Sequence, residues 1–102
     1  MTLIYLASPY SVGDQILNVR RSLEIADRLL NMGYTPYCPL LNHFWHFFSP
    51  KSIETWHEID KVILKKCDAV LRLDGISKGA DAEVLLAETL GIPVYYSLGE
   101  LR

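Results

Sequence analysis

Residues 74–96, DGISKGADAEVLLAETLGIPVYY, decide the fold, because they read as a polar loop, a helix of about three turns and a short apolar strand. Successive helical residues turn by about 100°, so Asp81 and Glu88 share one face while Glu83 points nearly away from Asp81. Glu83 therefore falls among Gly79, Ala80, Leu86, Ala87 and Leu90, on the side that should pack inward. An ionised carboxylate there is costly unless it gains donors, shifts its pKa or does chemistry. A plainer role is to offset the positive end of the helix or to pair with an arginine. The preceding loop favours chemistry: Ser77, Gly79 and Ala80 leave backbone N–H groups free to face an anion or a sugar hydroxyl. Ser77 by itself is also an ordinary N-cap.

Working back from that stretch, DAVLRL (68–73) reads as a strand and IETWHEIDKVILKKC (53–67) as a helix opening near Ser52. Its outer face carries Glu54, Glu58, Lys61 and Lys65 at favourable charge spacings. Its inner stripe is Ile53, Trp56, Asp60, Ile63 and Cys67, so a second acid stands where an apolar side chain is expected. Local pairing of Asp60 with Lys61 or Lys65 is the bland account. Two helices that each carry one misplaced carboxylate fit retaining glycosyl chemistry, which needs a close carboxylate pair.

The segment NHFWHFFSP (42–50) has neither helical nor strand period. It is either core or subunit-interface filler, or the wall of a pocket for a flat ring, with His43 as a contact and Trp45, Phe44 or, from the next helix, Trp56 stacking on that ring. Tyr34–Leu40 reads as a weak peripheral strand, since Pro36 and Pro39 are tolerated only at an edge or a strand end. The chain begins with TLIYLA (2–7), a continuous apolar run expected of a strand buried on both faces. The loop SPYSVGD leads to a helix from Asp14 or a neighbour, with Ile16, Val19, Leu23, Ala26 and Leu30 inward and Gly33 as its stop.

Strands alternating with helices predict an α/β fold: a single-domain Rossmann- or flavodoxin-like three-layer sandwich over residues 1–102, with a mostly parallel sheet of about four to five strands. Ligands of such sheets bind outside the carboxyl ends of the strands, where strand order reverses. That edge would be formed by Ser8–Gly13, the start of the aromatic segment and Gly75–Ala80.

Composition narrows the partners. The chain has 102 residues and a formal net charge of −2, which leaves no electrostatic footprint for polymeric nucleic acid or an anionic membrane. No apolar run approaches the length of a bilayer span. Half the residues are hydrophobic, rich for so short a chain, and this predicts a homodimer or higher homo-oligomer. Cys38 and Cys67 form no disulfide framework and fit a cytoplasmic protein with inert core thiols.

With these residues placed, the sequence resembles the nucleoside 2-deoxyribosyltransferase superfamily, which includes deoxynucleoside monophosphate N-glycosidases. The likeness rests on IYLASPYS near the N-terminus, on an acid in the helix before the third strand, and on S-x-G-x-x-x-E followed by A-x-x-x-G-I-P-V. By that resemblance Glu83 is the nucleophile, Asp60 its partner acid and Tyr5 the tyrosine that orients the nucleophilic carboxylate. Ser77 matches the position that contacts sugar or phosphate. The loop with Ser8, Pro9, Tyr10, Ser11 and Gly13 matches the segment that contacts base or sugar. Transferases of the superfamily usually carry Asp where this chain has Ser77, which is closer to the monophosphate hydrolases. The first loop has no cation, so phosphate contacts fall to Arg20, Lys78 or a neighbouring subunit.

The resemblance implies cleavage of the N-glycosidic bond of a nucleoside or nucleoside 5′-monophosphate through a glycosyl-enzyme intermediate, as hydrolase or deoxyribosyl transferase. The scheme needs no metal and no cofactor; His43, His46 and His57 make only a weak zinc pattern. Two other readings stand beside it. One is a non-catalytic module that binds a nucleotide or nucleotide sugar; the other is a structural subunit in which NHFWHFF is an interface.

Overall fold

In the computed structural model, which describes residues 2–101, the elements run β1 (Leu3–Ala7), α1 (Gln15–Asn31), β2 (Thr35–Tyr37), α2 (Asn42–Phe48), α3 (Ile53–Leu64), β3 (Ala69–Arg72), α4 (Lys78–Thr89) and β4 (Val94–Tyr95). Short 3₁₀ turns at Pro39–Leu41 and Leu98–Leu101 complete the chain. The four strands form one parallel sheet in the order β2-β1-β3-β4. The chain leaves β1 for β2 on one side and crosses back to β3 on the other, so the order reverses between β1 and β3.

Alternation along the strands divides the core into two layers. Ile4, Leu6, Leu71 and Leu73 pack with Ala26 and Leu29 of α1 and with Leu101. Tyr5, Ala7 and Val70 face the other way, onto Leu64, Cys67, Ala80 and Ala87 around α3 and α4. This is the expected three-layer arrangement, and the continuous apolar run of β1 is explained by cover on both faces.

Helix starts follow from local chemistry. Asp14 Oδ1 accepts the N–H groups of Ile16 and Leu17 at 2.9 and 3.1 Å, Ser52 Oγ accepts that of Thr55 at 3.2 Å, and Ser77 Oγ that of Ala80 at 3.0 Å. Each such cap is worth about 1 kcal/mol. The turn after α1 needs Gly33, whose φ is +93°.

Three expectations need correction. The inner stripe of α1 is Val19, Ser22, Ala26 and Leu29, whereas Ile16, Leu23 and Leu30 are exposed. Ile53 of α3 and Leu90 beyond α4 are likewise outside the core. The physical reason is overhang: a 17-residue helix is ~25 Å long, while a five-residue strand covers only ~17 Å. Apolar residues near the helix ends, such as Ile16 and Leu30, therefore find no sheet beneath them, whereas Leu23, at mid-helix, lies beside the buried stripe of Val19, Ser22, Ala26 and Leu29. Third, NHFWHFF is a helix, α2, and its period is hidden because its polarity is inverted. Asn42, His43 and His46 are half-buried, while Phe44, Phe47 and Phe48 are 59, 85 and 88% exposed.

No helix among the described residues is long and apolar enough to cross a membrane.

Candidate functional site

A cavity of about 750 Å³ opens where β1 and β2 end, under α2 and between α3 and α4. It is on the edge where a ligand of a parallel sheet is expected, beside the reversal of strand order. Glu83 from α4 and Asp60 from α3 both line it. Ser8, Tyr10 and Ser11 come from the loop after β1, His43 from α2, and Ser77, Gly79 and Ala80 from the start of α4. The structure thus gathers most of the residues that the sequence singles out.

Tyr5 lies behind the wall, fully buried in β1, and its hydroxyl donates to Glu83 Oε2. Burial raises the Glu83 carboxyl to about 7; the Tyr5 hydrogen bond and the Arg72 charge oppose that rise, and the Asp60 charge adds to it. Asp60 is also pushed up to about 7, by burial. Its local pairing does not form, since Lys61 bridges to Glu58 at 3.6 Å and Asp60 Oδ1 is buried without a hydrogen-bond partner. Burial drives the Tyr5 hydroxyl upward, with Glu83 and Asp60 adding to the effect, so Tyr5 remains a donor. The two carboxyls therefore differ in support: one receives a hydrogen bond and the other has an orphaned oxygen.

The loop after β1 is held in shape from α1. Asn18 Nδ2 donates to the carbonyls of Tyr10 and Val12 at 2.9 Å each. The Tyr10 hydroxyl bonds His43 Nδ1, tying this loop to α2. Ser8, although on the wall, directs its Oγ inward, to the Leu6 carbonyl at 3.5 Å and Ser22 Oγ at 3.3 Å.

Three expected contacts are absent from the lining. Pro9 packs against Gly75 instead, so closely that a Cβ added at Gly75 would lie 2.9 Å from Pro9 Cγ. Gly13, at φ +82°, shapes the turn into the Asp14 cap. Trp45 stacks edge-on against Trp56 with ring centroids 5.1 Å apart, and Trp56 lines the cavity in its place. Of the expected cations, Arg20 is away from the cavity in an exposed pair with Glu24, whereas Lys78 is on the wall.

The sequence reading missed Tyr37, Asn42 and Lys51, and took up His46 only in a weak zinc pattern. Tyr37 pairs in register with Tyr5, with ring centroids 5.6 Å apart. Burial raises its hydroxyl pKa, and the Asp60 charge raises it further. Asn42 lines the cavity with its Nδ2 buried and without a partner. Lys51 also lines it, and its ammonium stands 5.4 Å from the centre of the Trp45 ring. His46 Nδ1 accepts from Trp56 Nε1 at 2.8 Å and from the Lys51 N–H at 3.2 Å. Both donors converge on Nδ1, so the neutral ring carries its proton on Nε2. Pairing between strands, invisible to periodicity, is the signal that would have found Tyr37. Among the described residues no group of three or more His, Cys, Asp or Glu is placed to hold a metal ion.

Comparisons with known proteins bear on the family and the fold. The family described as "Domain of unknown function (DUF7768)" matches residues 2–97. None of the curated proteins matches the chain. Among solved structures, a 2-deoxyribosyltransferase from the psychrotolerant bacterium Bacillus psychrosaccharolyticus is similar with a TM-score of 0.66 and 25% identity, over 91% of this chain and 69% of that one. The four-stranded α/β fold described above is therefore one that a nucleoside-processing enzyme also uses.

Proposed function

The chain belongs to the family described as a domain of unknown function (DUF7768), and from that premise we propose that it cleaves the N-glycosidic bond of a nucleoside or nucleoside 5′-monophosphate, as a relative of the nucleoside 2-deoxyribosyltransferases. One observation carries the reading: two carboxyls share a sheltered cavity, and only one of them receives a hydrogen bond. Two acids raised to about 7 and acting on each other hold roughly one proton between them near neutrality. The Tyr5 hydroxyl favours the ionised form of Glu83, and the unpartnered Asp60 keeps the proton.

Glu83 attacks C1′, forming a bond to its carboxylate oxygen, while the bond from C1′ to the base nitrogen breaks and its electron pair leaves with the base. Asp60 delivers its proton to the departing base. It then takes a proton from water, or from an incoming base, as that oxygen or nitrogen bonds to C1′ and the bond from C1′ to Glu83 breaks, which returns Glu83 as a carboxylate. Trp56 and His43 form the aromatic side of the cavity for the base. Lys51 and Lys78 supply the positive charge for a 5′-phosphate, and the first turn of α4, from Ser77 to Ala80, binds sugar or phosphate oxygens.

A homo-oligomer completes the reading. Phe44, Trp45, Phe47 and Phe48 lie outside the core, beside exposed Leu41 and Ile53, and a second copy covers them. Replacing Phe47 and Phe48 by Lys should halve the mass seen by light scattering if a dimer is formed through α2. We infer a cytoplasmic location, which would keep the two buried cysteines as free thiols.

The test is incubation with a panel of nucleosides and their 5′-monophosphates, with chromatography for free base. Release is expected to rise and fall around pH 7. Glu83→Gln should slow it by roughly 10³-fold or more while substrate binding persists. Unchanged release in that variant rejects Glu83 as nucleophile. Tight binding of a nucleotide with no release from any compound identifies a non-catalytic binding module instead.

A further inference from the structure

Beyond the carboxyl end of β3, a second cleft of about 300 Å³ lies between α1 and the segment that leaves β4. It shares no lining residue with the larger cavity. Its wall carries three arginines: Arg21 and Arg28, seven residues apart on one face of α1, and Arg72 from β3. Tyr96 and Ser97 close the other side. In a chain of net charge −2, Arg21 and Arg28 outweigh Asp74 on this wall, Arg72 being paired with Asp81, and so leave a local positive excess.

Two of the three are held in place. Arg72, 9% exposed, donates through Nη1 to the Leu73 carbonyl, and through Nη2 to the Gly75 carbonyl at 2.9 Å and Asp81 Oδ1 at 3.0 Å. Arg21 Nη1 donates to the Asp74 carbonyl at 2.6 Å. Backbone carbonyls thus fix both guanidiniums; the Arg72 charge is paired with Asp81, whereas Arg21 is held by a neutral carbonyl and keeps its charge. The nearby acids are partly committed: Asp81 to Arg72, and Glu100 to the Tyr96 N–H at 3.1 Å, while Asp74 is the one acid on the cleft wall. A planar guanidinium fork matches a tetrahedral oxyanion, and ordering it beforehand removes much of the entropic cost of binding.

We propose that this cleft binds a phosphate group, either inorganic phosphate or the phosphate of a small phosphomonoester. Arg28 and Arg21 grip it from the solvent side, and the Ser97 hydroxyl donates from the opposite wall. Arg72 also links the cleft to the larger cavity, because the Asp81 it holds is two residues ahead of Glu83 on α4. An anion here is consequently felt at the start of that helix. The proposal stands whether or not the larger cavity cleaves nucleosides.

The full chain is titrated at low ionic strength with inorganic phosphate and, separately, with ribose 5-phosphate, and amide shifts are followed by NMR. The expected result is saturable binding with shifts at Arg28, Ser97 and Leu98, weakened about tenfold in Arg28→Gln. Arg28 is exposed, so the unliganded melting temperature of that variant should match the parent. Tighter binding of ribose 5-phosphate identifies a phosphomonoester as the ligand; equal binding identifies the phosphate group alone. No saturable binding, undiminished binding in Arg28→Gln, or shifts confined to Ser77–Ala80 overturns the proposal.

Discussion

The two faces of the sheet each turn a polar helix residue inward, fully buried Ser22 on one and half-buried Glu83 on the other, and they treat it differently. On the α1 face, Ser22 is 0% exposed, and its hydroxyl meets Ser8 Oγ at 3.3 Å and Cys38 Sγ at 2.8 Å. On the α4 face, Glu83 takes the corresponding inward position and has a titratable group beside it, Asp60, that lacks a partner. The first face is built for cohesion; the second carries an electrostatic cost that a purely structural core would not keep.

That contrast can be broken at either face. The largest effect is expected from Leu29→Ala, which should cost about 4 kcal/mol in denaturant unfolding, equally at pH 5 and pH 8, because Leu29 is fully buried among apolar neighbours. Glu83→Gln should do the reverse. The carboxyl is raised from 4.5 to about 7 in the folded protein, so the native state binds protons more tightly than the unfolded chain. Wild-type stability from this group is present below about 4.5 and is lost as pH rises through about 7. The variant should therefore be more stable than the parent by about 3 kcal/mol at pH 8, with the gap closing toward pH 4.5. Equal stability at both pH values would remove the idea of a strained carboxylate.

A smaller change sharpens the comparison. Tyr5→Phe removes the donor that lowers the Glu83 pKa, so the Glu83 midpoint followed by carbon NMR should move up, by about one unit. A midpoint that stays or falls would show that Tyr5 does not support the ionised form. Smallest is Ser22→Ala, expected to cost about 1 kcal/mol with no dependence on pH. A strong pH dependence there would mean that the two faces are not electrically separate.

Much of this arrangement was legible in the sequence, for reasons that differ by element. The caps at Asp14 and Ser77 could be read because an N-cap depends on one side chain and the next three residues. Glu83 could be read because α4 is regular and its inner neighbours are small. The α2 helix could not, since it turns Asn42, His43 and His46 toward a cavity and leaves phenylalanines outside, the opposite of what periodicity assumes. Trp45 was displaced by Trp56 because a run of aromatics does not say which ring faces inward. Tyr37 and Asn42 were invisible because their places depend on strand pairing and on the turn that follows β2.

Gly75 sets a limit on how this scaffold can be altered. Its φ of +122° disfavours any other residue, and the ring of Pro9 already fills the space that a side chain would need. The loops after β1 and β3 are therefore interlocked there like two teeth of a gear. A graft that imports a longer loop at one of them must bring a matching change at the other, whereas Ile76, beside that contact and exposed, remains open to variation.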